Sequence, residues 1–413
     1  MNNLEQYDVV VIGAGPSGAL VSSLLVQKGW KVLVLEQQLF PRFSIGESLL
    51  PQCMEYLADA GLVKTIHEHA DELGFQFKDG AAFHRNGQNT AINFTEKFSP
   101  GPGTTFQVKR ADFDKLIADR AQHQGVEIRY QHSVIGFTDE AASATLQVQN
   151  NKKQTYDVRA KFVLDASGFG RVLPKLLNLE KPSTFPVRSA YFSHFNDGIT
   201  DELFDRNKIL ITVHPKFNDV WYWLIPFSDG TSSIGVVAKQ TRFNERSSEA
   251  DTLKQFIEQD PYLKKLLANR VPITQARSVS GYSANVCTLH GKHFALLGNA
   301  GEFLDPVFSS GVTIALKSAH LIAPLIDDYL NGEVIDFDEC YAKPLQAGVD
   351  CFKTFVKGWY DTRFQDVIFY SEQNSQVREM ISAILAGYAW DKNNPFVAQS
   401  ERRLNVLAQL CQN

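Results

Sequence analysis

A mixed α/β fold is predicted, with one largely parallel sheet, a second antiparallel sheet and a helical C-terminal region. Three features of the 413-residue sequence predict it. The apolar run Val9-Val10-Val11-Ile12 leads into a glycine-rich turn, a helical stretch and a second apolar run, as in a β-α-β unit. Short β-rich stretches divided by polar turns recur over residues 134–165 and over 187–240, as in antiparallel meanders. Helical patterns return from Val312 onward.

In chain order, Tyr7 to Ile12 reads as a strand buried on both faces, followed by the turn Gly13-Ala14-Gly15-Pro16-Ser17-Gly18. Ala19 to Lys28 suits a helix closed by Gly29 as its C-cap, and Lys31 to Glu36 a second buried strand. Ala111 to Gln124 reads as a helix ended by Gly125, and Val126 to Tyr130 as a strand. The stretch Val134 to Asp165 carries turns such as Asn150-Asn151-Lys152-Lys153. Val220-Trp221-Tyr222-Trp223 alternates like a half-buried strand, which puts Trp221 and Trp223 on one face. Ser248 to Ala268 is read as helical, and the tail from about residue 331 as mixed helix rich in aromatics.

Composition narrows the function. A chain of this length exceeds one small core, so two intertwined domains are expected. The net charge of −5, with both signs mixed along the chain, excludes a general nucleic-acid binder, which needs a concentrated basic surface. Cys53, Cys287, Cys340, Cys351 and Cys411 are odd in number and have no C-x-x-C spacing. Neither a disulfide framework nor a zinc knuckle is indicated, and a cytoplasmic location is expected. Residues Val9 to Val26 hold no charge, but Gly13, Gly15, Pro16 and Gly18 interrupt them and no Lys or Arg precedes them. They read as neither a transmembrane span nor a signal peptide, and no other span is expected. His67 and His69, like His290 and His293, lack acidic or cysteine partners at ligand spacing, so no metal site is expected. Ser309-Ser310 lacks a G-x-S-x-G frame, which excludes a hydrolase of that type.

The chemistry begins at Gly13-x-Gly15-x-x-Gly18, set between a strand and a helix, with Glu36 closing the next strand. Gly13 permits the tight turn, Gly15 lets the backbone approach a pyrophosphate, and Gly18 lets helix and strand pack closely. The helix N-terminus presents unpaired N–H groups to the phosphates, and Glu36 can accept from both ribose hydroxyls. This is a dinucleotide site.

Further segments resemble known families. Lys161-Phe162-Val163-Leu164-Asp165-Ala166-Ser167-Gly168 and Ala295-Leu296-Leu297-Gly298-Asn299-Ala300-Gly301 resemble the second and third fingerprints of the flavoprotein monooxygenase superfamily. Asn299 stands where that family usually has Asp, keeping hydrogen-bonding capacity toward the ribityl chain without the charge. Gln107-Val108-Lys109-Arg110-x-x-Phe113-Asp114 is similar to the segment whose Arg contacts the flavin, although Arg110 is also placed to pair with Asp114 at i,i+4. Phe40-Pro41-Arg42-Phe43-Ser44-Ile45-Gly46-Glu47-Ser48-Leu49-Leu50-Pro51 resembles a segment of flavin-dependent halogenases and geranylgeranyl reductases. Trp221-Tyr222-Trp223-Leu224-Ile225-Pro226 matches the halogenase W-x-W-x-I-P motif. Asp305-Pro306-Val307-Phe308-Ser309-Ser310-Gly311-Val312 is similar to the halogenase segment that flanks the flavin and holds halide. Phe77-Lys78-Asp79-Gly80-Ala81-Ala82-Phe83 resembles the strand carrying the halogenase lysine. The resemblance spans residues 7 to about 320.

It implies a Rossmann-like FAD-binding domain (1–75, 106–180 and 275–330) interleaved with an antiparallel β-sheet substrate domain (76–105 and 181–274). Residues 331–413 form the C-terminal helical region. FAD would be held by Gly13, Gly15, Pro16, Ser17, Gly18, Glu36, Arg42, Ser48, Arg110, Asp165, Asn299, Asp305, Gly311 and Val312. Lys78, Ser310 and Gly311 would be catalytic, and Trp221, Trp223 and Phe308 would shield flavin from substrate. The implied activity is that of a flavin-dependent halogenase: FADH₂ from a separate flavin reductase, O₂ and halide give hypohalous acid, which halogenates an electron-rich aromatic. Tryptophan halogenases carry an acidic residue where Phe308 stands, so a phenol or pyrrole is expected, free or tethered to a carrier protein. An FAD-dependent monooxygenase and a geranylgeranyl-reductase-like dehydrogenase share the flavin motifs. A non-catalytic flavoprotein would use the aromatic tail (Phe352, Phe355, Trp359, Tyr360, Phe364) as a binding module.

Overall fold

Two sheets, one on each side of a deep cleft, organise the computed structural model, which describes residues 4–200, 202, 204–243, 247–371 and 374–411. The first sheet runs Glu127–Tyr130, Val32–Glu36, Glu5–Ile12, Thr155–Asp165, Ala144–Asn150, His132–Asp139, with Phe294–Leu296 also on Thr155–Asp165. Glu5–Ile12 pairs in parallel with both Val32–Glu36 and Thr155–Asp165. Its Val9, Val10 and Val11 are fully buried, as a strand covered on both faces requires. The helix Pro16–Gln27 starts directly after the glycine turn and packs on the 21-residue helix Ser310–Leu330. The meander over 134–165 and the helix Arg110–His123 stand where the sequence predicts them.

The second sheet runs Val271–Pro272, Arg188–Asn196, Thr231–Lys239, Phe217–Pro226, Lys208–His214, Gly80–Arg85, Gln88–Asn93. It is antiparallel except between Lys208–His214 and Gly80–Arg85, which run parallel. Arg277–Ser280, which a boundary at 275 puts in the other domain, pairs with Arg188–Asn196 in this sheet.

Two elements differ from expectation. The stretch Ser248 to Ala268 is two helices, Glu249–Gln259 and Pro261–Leu266. Pro261 cannot continue the first, and the Asp260 carboxylate accepts from Leu263 N to start the second. The strand expected across Phe77 to Phe83 breaks at Asp79. Gln76–Lys78 pairs with Thr105–Gln107, whereas Gly80–Arg85 joins the large sheet. The C-terminal aromatics are core: Phe352, Phe355, Trp359 and Phe364 are fully buried and belong to the same apolar cluster as the glycine-turn helix. A docking module built on those four rings is therefore excluded. Among the described residues no helix is long and apolar enough to cross a membrane. Nor is any group of three or more His, Cys, Asp or Glu among them placed to hold a metal.

Candidate active site

The cleft between the sheets encloses about 1820 Å³, its open mouth included. Of the residues expected to hold FAD, Gly13, Gly15, Pro16, Ser17, Glu36, Arg42, Ser48, Arg110, Asn299, Gly311 and Val312 line it.

At the adenosine end, Glu36 is buried at the tip of its strand. Its Oε2 accepts from Ala14 N at 2.9 Å and its Oε1 from Gln38 N at 2.8 Å. Each carboxylate oxygen has a further lone pair, so the residue is oriented by backbone and still able to accept ribose hydroxyls. Gly13 has φ +97°, and a Cβ there would lie 2.7 Å from Ala166 O. Arg110 pairs with Asp114 and also stands in the cleft wall. Its guanidinium grips Asp114 through Nε at 2.7 Å and Nη2 at 2.9 Å, donates to Ile45 O, and still lines the cleft. Arg42 shares Asp114 at 3.0 Å, so one buried carboxylate holds two cations at the wall. Asn299 presents a buried Oδ1 with no partner to the cleft, an unmet acceptor where a ribityl hydroxyl would donate. The position of Gly15 in the cleft wall, the orphaned Asn299 oxygen and the paired arginines fit FAD.

Several expected residues stand behind the wall. Gly18 is a packing residue: a Cβ there would lie 2.0 Å from Gly13 O. Asp165 is fully buried and does not line the cleft, and its carboxylate accepts from Ser167 N and Leu173 N, which shapes the turn. Asp305 likewise accepts from Val307 N and from the Tyr360 hydroxyl. Phe308 is no shield: its ring packs edge-on against Trp359 and Phe364 within the helical region. Ser310 is buried at the start of its helix, because Ser309, at φ 57°, turns the chain so that Ser309 and Gly311 face the cleft.

Trp221 and Trp223 do form a wall. Both line the cleft, with ring centroids 6.0 Å apart. Trp223 extends the aromatic surface through Phe192 to Phe43, and Gly235 on the adjacent strand leaves room for its indole. Trp221 Nε1 donates to the Tyr360 hydroxyl at 2.9 Å and Trp223 Nε1 to Ser233 Oγ at 3.1 Å, which sets both rings.

Lys78 is fully buried. Its Nζ donates to Ser48 Oγ and to Leu49 O, both at 2.7 Å, and lies 5.4 Å from the centre of the Phe94 ring. Burial without a paired carboxylate brings the amine down from 10.5 to about 7, the Cys53 thiol opposing slightly. Ser48 lines the cleft, so the amine stands one hydrogen bond behind its wall.

Sequence reasoning missed Glu47 and His194. Glu47 is buried, lines the cleft, and its Oε1 meets His194 Nε2 at 2.6 Å. Glu47 lies inside a quoted motif, but its partner is on a strand 147 residues away, so only the fold joins them.

The family model for the FAD binding domain matches residues 6–333. The chain is 29% identical to a 1H-pyrrole-2-carbonyl-[peptidyl-carrier protein] brominase of Pseudoalteromonas luteoviolacea, over 95% of this chain and 94% of the relative. It is 30% identical to a flavin-dependent halogenase of Armillaria mellea, over 81% of this chain and 67% of that one. Among solved structures, a flavoprotein/dehydrogenase from Cytophaga hutchinsonii superposes with a TM-score of 0.94 at 38% identity, covering 99% of both chains.

Proposed function

We propose, for a chain that belongs to the FAD binding domain family and within it to the flavin-dependent halogenases, electrophilic halogenation of an electron-rich phenol or pyrrole. The carrier-tethered substrate named for the Pseudoalteromonas relative favours a pyrrole presented on a carrier protein. When bound and reduced, the flavin would give two electrons to O₂ and the halide the other two, so that FADH₂, O₂, halide and a proton would become FAD, hypohalous acid and water.

The chain's own residues do the rest. Gly13, Gly15, Glu36, Arg42 and Arg110 hold the cofactor, and Ser309 and Gly311 border the halide's approach. Trp221 and Trp223 close the wall, keeping bulk water and the aromatic substrate off the flavin. One observation carries the reading: a lysine amine, sealed from solvent and close to half neutral at pH 7, hydrogen-bonded to a serine of the cleft wall. Passage from cleft to amine requires the Ser48 hydroxymethyl group to turn aside. The neutral amine then accepts a hydrogen bond from hypohalous acid and directs its halogen at the ring. The ring gains halogen and loses a proton, and water leaves.

The test is direct. Purified protein given reduced flavin, oxygen and bromide should brominate a chromogenic phenol, and the same mixture without bromide should not. A dehydrogenase reading is favoured by the 38% identical flavoprotein/dehydrogenase; it expects no bromination and flavin oxidation coupled to an organic substrate instead.

A separate reductase is the expected partner, since a single G-x-G-x-x-G turn of this kind occurs in the sequence. NADH or NADPH alone should therefore leave the bound flavin yellow under anaerobic conditions; rapid bleaching would show that the chain binds nicotinamide itself. Exposed free thiols at Cys287 and Cys340 support work in a reducing cytoplasm.

A further inference from the structure

Arg188 opens the strand Arg188–Asn196 on the face that also carries Ala190 and Phe192, and it is 4% exposed. A buried guanidinium ordinarily has a carboxylate and a full set of acceptors. Here Nε and Nη1 meet no acceptor, and the planar group lies 3.3 Å from the centre of the Tyr360 ring. The adjoining hydroxyl of Tyr282, a residue 7% exposed, is unpartnered as well. Tyr360 is committed elsewhere: its hydroxyl accepts from Trp221 Nε1 and donates to Asp305 Oδ2, both at 2.9 Å. Trp221 and Tyr282 line the cleft, so these unmet donors stand immediately behind its wall.

We propose that Arg188 and Tyr282 form an anion site that takes a halide ion at the inner end of the cleft, separate from the Ser310–Gly311 segment. The inference rests on the halogenase reading. A permanent cation with free N–H groups and a free phenol O–H calls for an acceptor that carries charge. With Tyr360 stacked on the guanidinium face, the edge remains for hydrogen bonding, and an edge plus one hydroxyl suits a monatomic anion. The seclusion of both side chains selects for small size. Asp305, pushed up to about 6 by burial against the attraction of Arg188, is a neighbouring carboxyl that does not reach Arg188 Nε or Nη1, so those N–H groups are left for the halide. A halide held here waits beside the same loop, Asp305 to Gly311, whose end reaches the flavin wall.

The experiment is bromide anomalous scattering on crystals of the FAD-loaded protein, paired with bromide quenching of tryptophan fluorescence in solution. The expected result is a bromide peak within hydrogen-bonding distance of Arg188 and the Tyr282 hydroxyl. It should vanish in Arg188→Gln, and saturable quenching should weaken about tenfold, as loss of a charge-assisted hydrogen bond implies. Tyr282→Phe removes one donor with little change of shape and should weaken quenching by a smaller factor, a check should Arg188→Gln fail to fold. A peak at the Ser310–Gly311 segment alone overturns the site and leaves the halogenase reading standing. A peak that persists in Arg188→Gln means an adventitious ion only and overturns it too. Absence of bromide from both places, with no bromination activity, overturns this site and the halogenase reading together.

Discussion

Lys78→Ala binds FAD and consumes oxygen with reduced flavin, yet loses enzyme-directed bromination of its substrate: this is the expected result with the largest effect on activity. The amine lies behind Ser48 instead of within the cofactor cradle, so its loss leaves Gly13, Gly15, Glu36, Arg42 and Arg110 undisturbed. Substrate bromination should fall by roughly 10²–10⁴, the range for a positioned proton-transfer group. Hypohalous acid should escape instead, and a trapping thiol or phenol in bulk solution would detect it. Lys78→Arg should be nearly as poor, because a guanidinium keeps its proton and cannot accept. In the wild type the transfer step should accelerate as pH rises through about 7, where the buried amine loses its proton.

The same burial predicts a stability signature. The folded protein holds the amine near 7 against 10.5 for a free lysine, so between those values the unfolded chain binds the additional proton. Wild-type stability therefore rises with pH across that window, and the full cost of a buried ammonium is felt below 7. Lys78→Met removes this slope. Its unfolding free energy, read from denaturant titration, should exceed the wild type's most at pH 6, by an amount on the order of a few kcal/mol, and the gap should shrink toward pH 10. A Lys78→Ala enzyme that brominates as well as wild type would reduce Lys78 to a packing residue.

Gly15→Val should give a folded, colourless protein. Gly15 has φ −69° and ψ −171°, a conformation open to any residue, and its added Cβ would meet Arg42 Nη2 at 3.4 Å, ordinary contact distance. The protein itself thus accommodates the side chain, which instead fills the space the pyrophosphate needs. Circular dichroism and melting should stay close to wild type while absorbance near the flavin bands disappears. Gly18→Val, with its Cβ 2.0 Å from Gly13 O, should fail to fold and so says nothing about the ligand. Full yellow colour in Gly15→Val would contradict the placement of the cofactor.

The contrast between these two glycines shows how far the motif could be read. Its spacing located a dinucleotide turn, and the roles of Gly15 and Gly18 followed from the chemistry of such turns. Elsewhere a motif marked a segment without saying which atoms face the ligand. Asp165 and Asp305 lie in flavin-associated segments, yet neither lines the cleft and both accept from neighbouring N–H and O–H groups. Phe308 lies in the halide segment and points into the helical core. Chain polarity and local turn angles decided those directions, and Ser309 at φ 57° is the residue that does so for the last of them.

By itself the sequence determined what local patterns encode: the β-α-β unit, the meander, the paired tryptophans on one face, and a dinucleotide turn ending on Glu36. Hydrophobic period, glycine placement and strand alternation act over a few residues, and a reader needs no partner to interpret them. Only the tertiary structure decided which side chains were sealed in and with whom. Lys78 reads as an ordinary solvated lysine until Ser48, Leu49 and Phe94 close around it and drive its proton off near neutrality. Glu47 meets His194, and Arg188 meets Tyr360, across 147 and 172 positions of chain. Desolvation and pairing at that range depend on which surfaces the whole fold brings together, and no short window of residues carries that information.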